Sequence, residues 1–214
     1  MPRAGLTRQR VIEEAERLAD EVGLDRLTLT ALAECLGVRQ PSLYKHITSI
    51  DDVRRSISTR TKVEMTDILT RAAAGRSRDD AIMSMARAYR AWAHEHPGRY
   101  VAGQVAPAPG DVQDEAASAA AVQLLANVMS GFDLVGDEAI DAIRALRSAL
   151  HGFVSLEAAG GFGLPLDVDR SFDRLVLGMI AAFAEWSGSA GARWDDEPGT
   201  ASPDSRRQIS EVRS

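Results

Sequence analysis

Arg39, Gln40, Ser42, Tyr44, Lys45 and His46 crowd a guanidinium, a primary amide, two hydroxyls, an ammonium and an imidazole into one short span. Such groups suit nucleic acid better than bond cleavage. Arg pairs with guanine and Gln with adenine along the major-groove edge, whereas Ser, Tyr, Lys and His more often reach phosphate oxygens. A solvated polar helix face is the ordinary alternative for such a set, and the surrounding elements decide between the two. Chemistry of other kinds lacks its signatures. No glycine-rich phosphate loop, Gly-x-Ser-x-Gly elbow or Cys-x-x-Cys pair is present, and the single Cys35 reads as a small residue at a core edge. His94 and His96 are two apart on a helix end and point about 200° apart, so they do not share a metal. No catalytic residue, metal or cofactor is assigned. His151 is open to three readings: a hydrogen-bonded core or interface histidine, a contact to a bound small molecule, or a metal ligand.

The elements that must hold those donors are legible around them. A first helix is expected from about Thr7 to Glu21, with Ile12, Ala15, Ala19 and Val22 on one face and Gly23 at its stop. Arg3, Arg8 and Arg10 form a short basic arm, read first as a solvated terminus and second as a phosphate contact. Thr28 caps a second helix whose Leu29, Leu32, Ala33 and Leu36 face the first. Gly37 supplies the positive φ of a tight turn, and Pro41 is tolerated because it falls in the first turn of a third helix, Gln40 to His46 or Ile47. Helix, glycine turn and short polar helix together make a helix-turn-helix the expected reading.

Charge is distributed to match. The whole chain carries −6, yet residues 1–60 hold 10 Lys or Arg against 9 Asp or Glu, and residues 61–187 hold 11 against 17. Phosphate attraction is screened beyond roughly 8 Å at physiological salt, so a DNA reader needs only a local basic face. No apolar run of 18 residues or secretory leader appears, and the expected compartment is the cytoplasm, with no membrane partner.

The segment LTLTALAECLGVRQPSLYKHITSIDDV resembles the DNA-binding domain of the tetracycline-repressor family over about residues 7–57. The resemblance implies that Thr28, Arg39, Gln40, Pro41, Ser42, Tyr44, Lys45 and His46 form the DNA-contacting set, with Tyr44 and His46 on phosphates. Two positions depart from the pattern. Ile47 stands where an aromatic is usual, and Ile50 stands where a phosphate-gripping lysine usually starts helix four.

The remainder reads as helices of about 50–74, 79–95, 112–131, 137–159 and 168–187, with a short element at 99–104 and no strand-like alternation. The fold expected is all-α: a helix-turn-helix domain over 1–50, a helical effector-binding and dimerisation domain over 51–187, and a disordered tail over 188–214. AYRAWAHEHPGRY and LHGFVSLEAAGGF resemble the regulatory domain of one branch of the same family. On that resemblance Met85, Tyr89, Trp92, Met129, Phe132, His151 and Phe153 are the effector-pocket candidates. Leu146, Leu150, Phe172, Val176, Met179 and Phe183 are the dimer-interface candidates. The expected function is a homodimeric transcriptional regulator, a repressor released from a near-palindromic operator in double-stranded DNA by a small-molecule effector. The competing readings are a ligand-independent DNA-binding protein and a small-molecule-binding helical protein with a vestigial reader.

Overall fold

The computed structural model describes residues 5–186, so the tail expected over 188–214 and the arm residue Arg3 lie outside the described residues. Described residues form no strand. The helices are α1 (Arg8–Val22), α2 (Leu29–Cys35), α3 (Gln40–Leu43), α4 (Ile50–Ala73), α5 (Arg78–Glu95), α6 (Pro97–Gly103), α7 (Val112–Met129), α8 (Gly136–Ala158) and α9 (Val168–Trp186), with 3-10 turns at Leu24–Arg26 and Ser130–Phe132. Local chemistry sets most of the starts. The side chains of Thr7, Thr28, Ser49 and Asp111 accept from the backbone N–H three residues on, satisfying amides that the first helical turn leaves free. Gly23 (φ 90°) and Gly37 (φ 65°) turn the chain where a side chain would be strained.

The first three helices and the start of α4 enclose one apolar cluster, in which Val11, Ala15, Leu32, Leu43, Val53 and Ile57 are buried. Ile47 belongs to it at 2% exposure, so an aliphatic side chain fills the place of the usual aromatic. Helix α3 is shorter than expected. It ends at Leu43, and Tyr44 to His46 continue as a turn in which His46 N–H donates to Leu43 O (2.8 Å) and Ile47 N–H to the same oxygen (3.0 Å). The tighter turn buries Ile47 and still leaves Ser49 extended to cap α4. Cys35 is exposed, not a core-edge residue. Leu32 and Ala33 occupy the inner side of α2, and Cys35 lies about 200° around the helix from Ala33.

A second cluster joins α5, α7, α8 and α9, and it corrects the interface expectation. Leu146, Leu150, Phe172, Val176 and Phe183 are buried within the protomer in this cluster, and Met179 packs against it. Helix α9 turns its aromatic stripe inward, where Phe183 meets Phe132 and Trp186 and where Phe172 meets Phe153. What remains outside is a different stripe, with Leu156 on α8 and Leu177 on α9 both more than half exposed.

Helix α6 ties the two clusters together. Its Ala102 enters the first cluster, and its Tyr100 is buried with Trp92 and Val154. Gly98 lies directly against α1, so that a Cβ there would overlap the Ala19 carbonyl and the Asp20 nitrogen. Beside it, Arg99 N–H donates to Asp20 Oδ1 (2.8 Å) and Arg99 Nε to Asp20 Oδ2 (2.7 Å). Because the obstacle at Gly98 is backbone, Gly98→Ala is expected to lower stability by about 1–3 kcal/mol in denaturant unfolding. Gly103→Ala meets only the Thr61 methyl and should cost less; equal losses would mean that α6 and α1 are not in fixed contact.

Candidate nucleic-acid interface and internal cavity

Arg39, Pro41, Tyr44 and Lys45 are exposed, with Gln40, Ser42 and His46 half-buried beside them. No Asp or Glu occurs between Cys35 and Ile50, so the two cations have no compensating charge along that stretch. Tyr44 presents its ring to solvent at 54% exposure. The Gln40 carboxamide is oriented from outside the recognition segment: Thr30 Oγ1 on α2 donates to Gln40 Oε1 (3.2 Å), which leaves the amide NH2 as the outward donor. The Thr28 hydroxyl already accepts from Ala31 N–H (3.2 Å), so it serves α2 first.

The turn after Lys45 is held by Arg8. Its guanidinium donates to both Asp52 oxygens (2.9 and 2.7 Å), to Ser56 Oγ (2.8 Å) and to the His46 carbonyl (3.1 Å). Arg8 is thus a brace between α1, α4 and the recognition turn, and neither a solvated terminus nor a free phosphate contact. Asp52 also accepts from Thr48 N–H (2.8 Å), and the Arg8 hydrogen bonds hold its carboxyl well below the usual carboxylate range. Ile50 packs against the first cluster, and Asp51 and Asp52 follow it in the first turn of α4. Arg54 is turned toward Asp51 and the Leu27 carbonyl. Arg55, one residue on, is exposed.

Behind the reader, a cavity of about 260 Å³ lies among α4, α5, α6, α7 and α8. Four of the expected pocket residues, Met85, Tyr89, Trp92 and Met129, line it. Three do not. Phe132 is sealed in the core against Phe183, and Phe153 packs on Phe162 and Phe172. His151 stands one layer back: its Nδ1 is 2.7 Å from the Tyr100 hydroxyl, which is 2.9 Å from that of Tyr89. Burial pushes both phenols up, so they stay protonated. The wall supplied by α4 (Thr61, Lys62, Met65, Thr66, Leu69) and by Tyr100, Gly103 and Gln104 was not expected. Lys62 donates to Asp114 Oδ2 (2.6 Å) and Thr59 to Asp114 Oδ1 (3.1 Å), which joins α4 to the start of α7 in a pair with both side chains at most 10% exposed.

The model of the tetracyclin repressor-like C-terminal domain matches residues 82–179. A helix-turn-helix-type transcriptional regulator of Mycobacterium tuberculosis is 42% identical over 179 residues, 83% of this chain and 82% of its own. The chain belongs to the tetracycline-repressor family. A second regulator of the helix-turn-helix type, from Bacillus subtilis, is 33% identical over 79% of this chain and 88% of its own. Among solved structures, apo ActR of Streptomyces coelicolor shares the fold with a TM-score of 0.66 at 20% identity, covering 88% of this chain and 99% of its own. A TetR variant of Acinetobacter baumannii in complex with minocycline does so with a TM-score of 0.64 at 20% identity, over 86% and 99%.

This tetracycline-repressor family member is therefore a DNA-binding transcriptional regulator and not an enzyme. Members of the family bind DNA, act as dimers and respond to small molecules. No single helix among the described residues is long and apolar enough to cross a membrane. Sequence reading placed Arg8 in a basic arm and did not name Thr30; it missed the roles of both, because their partners lie 44 and 10 residues away and leave no local signal.

Asp52 yields a pH test. Its folded pKa is depressed below the unfolded value near about 3.9, so its contribution to stability is complete above that value and is lost as pH falls toward the folded one. Asp52→Asn should melt lower than wild type at pH 7 and lose less on acidification, as read by thermal melts from pH 7 to 3. Parallel curves would deny the brace any role in stability.

Proposed function

We propose that the protein is a homodimeric repressor that reads a near-palindromic operator with the Arg39–His46 face and releases it when a small molecule enters the cavity. The observation that carries this reading is the double engagement of α6. Within seven residues, Gly98 and Arg99 hold α1 of the reader while Tyr100 and Gly103 line the cavity. A ligand that repositions the cavity wall displaces the element against which the reader is seated.

On the DNA side, Arg39 and Gln40 address base edges, with Pro41 close to the groove. Ser42, Tyr44, Lys45 and His46 address phosphates, and Thr28 steadies α2 at the backbone. Two such faces in a dimer enter successive major grooves about 34–36 Å apart, which makes the site a near-palindrome. A ligand favouring the non-binding arrangement by about 1–3 kcal/mol lowers operator affinity some 5- to 150-fold.

The dimer contact moves to the outward stripe of α8 and α9. Gly152 and Gly178 lie mid-helix with open space where a Cβ would stand, so nothing inside the protomer calls for glycine there. A mid-helix glycine costs about 1 kcal/mol relative to alanine, and close approach by a partner helix is the reason that supports its use. Exposed Leu156 and Leu177 border the two sites.

Selection of bound sequences from a random DNA pool should return an inverted repeat, and recovery of no preferred sequence would refute a specific reader. On that site Gln40→Ala is expected to cost about 1–3 kcal/mol and relax preference at particular base pairs, while Lys45→Ala weakens all sequences alike and flattens the salt dependence, as read by binding titrations at several salt concentrations. For the dimer, Leu177→Glu should sediment as a helical monomer; a dimer that persists places the contact elsewhere.

A further inference from the structure

We propose that the cavity binds an apolar monoanion, a small ligand with a hydrocarbon body and one carboxylate, whose head group is held by Arg147 with the Tyr89 hydroxyl. The body follows from the wall, which presents Met65, Leu69, Ile82, Met85, Leu125 and Met129. Charge placed among such side chains without a partner is strongly disfavoured. At about 260 Å³ the space lies just below the roughly 300–1,000 Å³ of drug-sized sites, which suits a flexible chain better than a fused-ring compound.

The head group follows from the charges. Lys62 and Arg147 are the charged residues of the lining, and no Asp or Glu is among its members. A lipophilic cation would find no counter-ion there. Lys62 is already neutralised by Asp114 at 2.6 Å. Arg147 is not: among the described residues its contacts are long ones, to Gln104 O at 3.2 Å and Gln104 Oε1 at 3.4 Å, and it pairs with no carboxylate. Its charge acts on both phenols, which burial keeps protonated and which are linked to each other and on to His151. With His151 Nδ1–H donating to Tyr100 and the Tyr100 hydroxyl donating to Tyr89, Arg147 offers a charge and the Tyr89 O–H an uncharged donor. Thr61 contributes a second unspent group, being 4% exposed with a buried hydroxyl that has no hydrogen-bond partner among the described residues. A carboxylate accepts from all of these donor types, and charge-assisted hydrogen bonds are the stronger ones.

The proposal rests on the ligand-responsive reading of the cavity, and its test separates the two. Full-length protein is titrated by calorimetry with decanoate, 1-decanol and decylammonium, which share a chain and differ in head group. Decanoate is expected to bind at least tenfold more tightly than decanol, and decylammonium not at all. Arg147→Gln is expected to weaken decanoate about tenfold and decanol less than twofold. Equal affinities for the three heads, an Arg147→Gln protein that binds decanoate like wild type, or no binding of decanoate would overturn the proposal. Operator binding by ligand-free wild-type protein, measured separately, tests the regulator reading alone.

Discussion

The seat of α6 on α1 is the constraint from which the rest of the arrangement follows. Gly98 admits the Ala19–Asp20 backbone at a distance that excludes any side chain, and the Asp20 carboxylate then grips Arg99 at both its backbone and its guanidinium. Arg99 reaches on to Glu64 (2.9 Å), Glu64 accepts from Trp92 Nε1 (3.1 Å), and His96 lies against both Asp20 and Arg99. One guanidinium set between two carboxylates, Asp20 and Glu64, thus ties α1, α4, α5 and α6 to one another. Pairs this enclosed add little net stability over a hydrophobic replacement, because desolvation offsets attraction, but removing one partner is severe. Their use here is registry: they keep the reader from sliding on its own body.

The same economy governs charge. A chain of net charge −6 keeps carboxylates out of the stretch between Cys35 and Ile50 and pairs several of those on α1 and at the start of α4. Asp52 is spent on Arg8, Glu16 on Arg60 (2.7 Å) and Glu14 on Arg17 (2.6 Å), so few acidic groups near the reader are left to repel phosphate. Screening then confines the acidic body's influence to its own surface.

What could be read from the sequence was what depends on neighbours in the chain. Thr28, Gly37 and Pro41 act through capping, positive φ and a missing N–H, all short-range effects, and the helix-turn-helix was legible from them. Helix period finds the apolar residues of α8 and α9, but period does not say whether a stripe meets its own chain or a second one. Phe172 and Phe183 turned inward, and the exposed stripe was the one with glycine and a single leucine on each helix. The cavity was misjudged for a related reason. Phe132 and Phe153 are large enough to look like ligand contacts and are consumed by aromatic packing, whereas Thr61, Met65 and Gly103 carry no individual signal and matter only because α4 and α6 cross there.

Helix α4 is the element in which these lines meet. Its first half is buried with the reader through Val53 and Ile57, and its second half lines the cavity through Met65 and Leu69. It is pinned midway by Lys62 and Thr59 to Asp114 at the start of α7. On the proposed reading, a ligand that widens the cavity has to strain that enclosed pair or carry α7 along with α4. The energies are compatible. Burying about 100 Å² of apolar ligand surface contributes about 2.5 kcal/mol, the same order as the coupling that separates a bound from a released regulator. A small cavity is therefore sufficient for control, provided that the ligand's contacts differ between the two positions of α4; tight binding that favours neither position would leave the DNA equilibrium where it was.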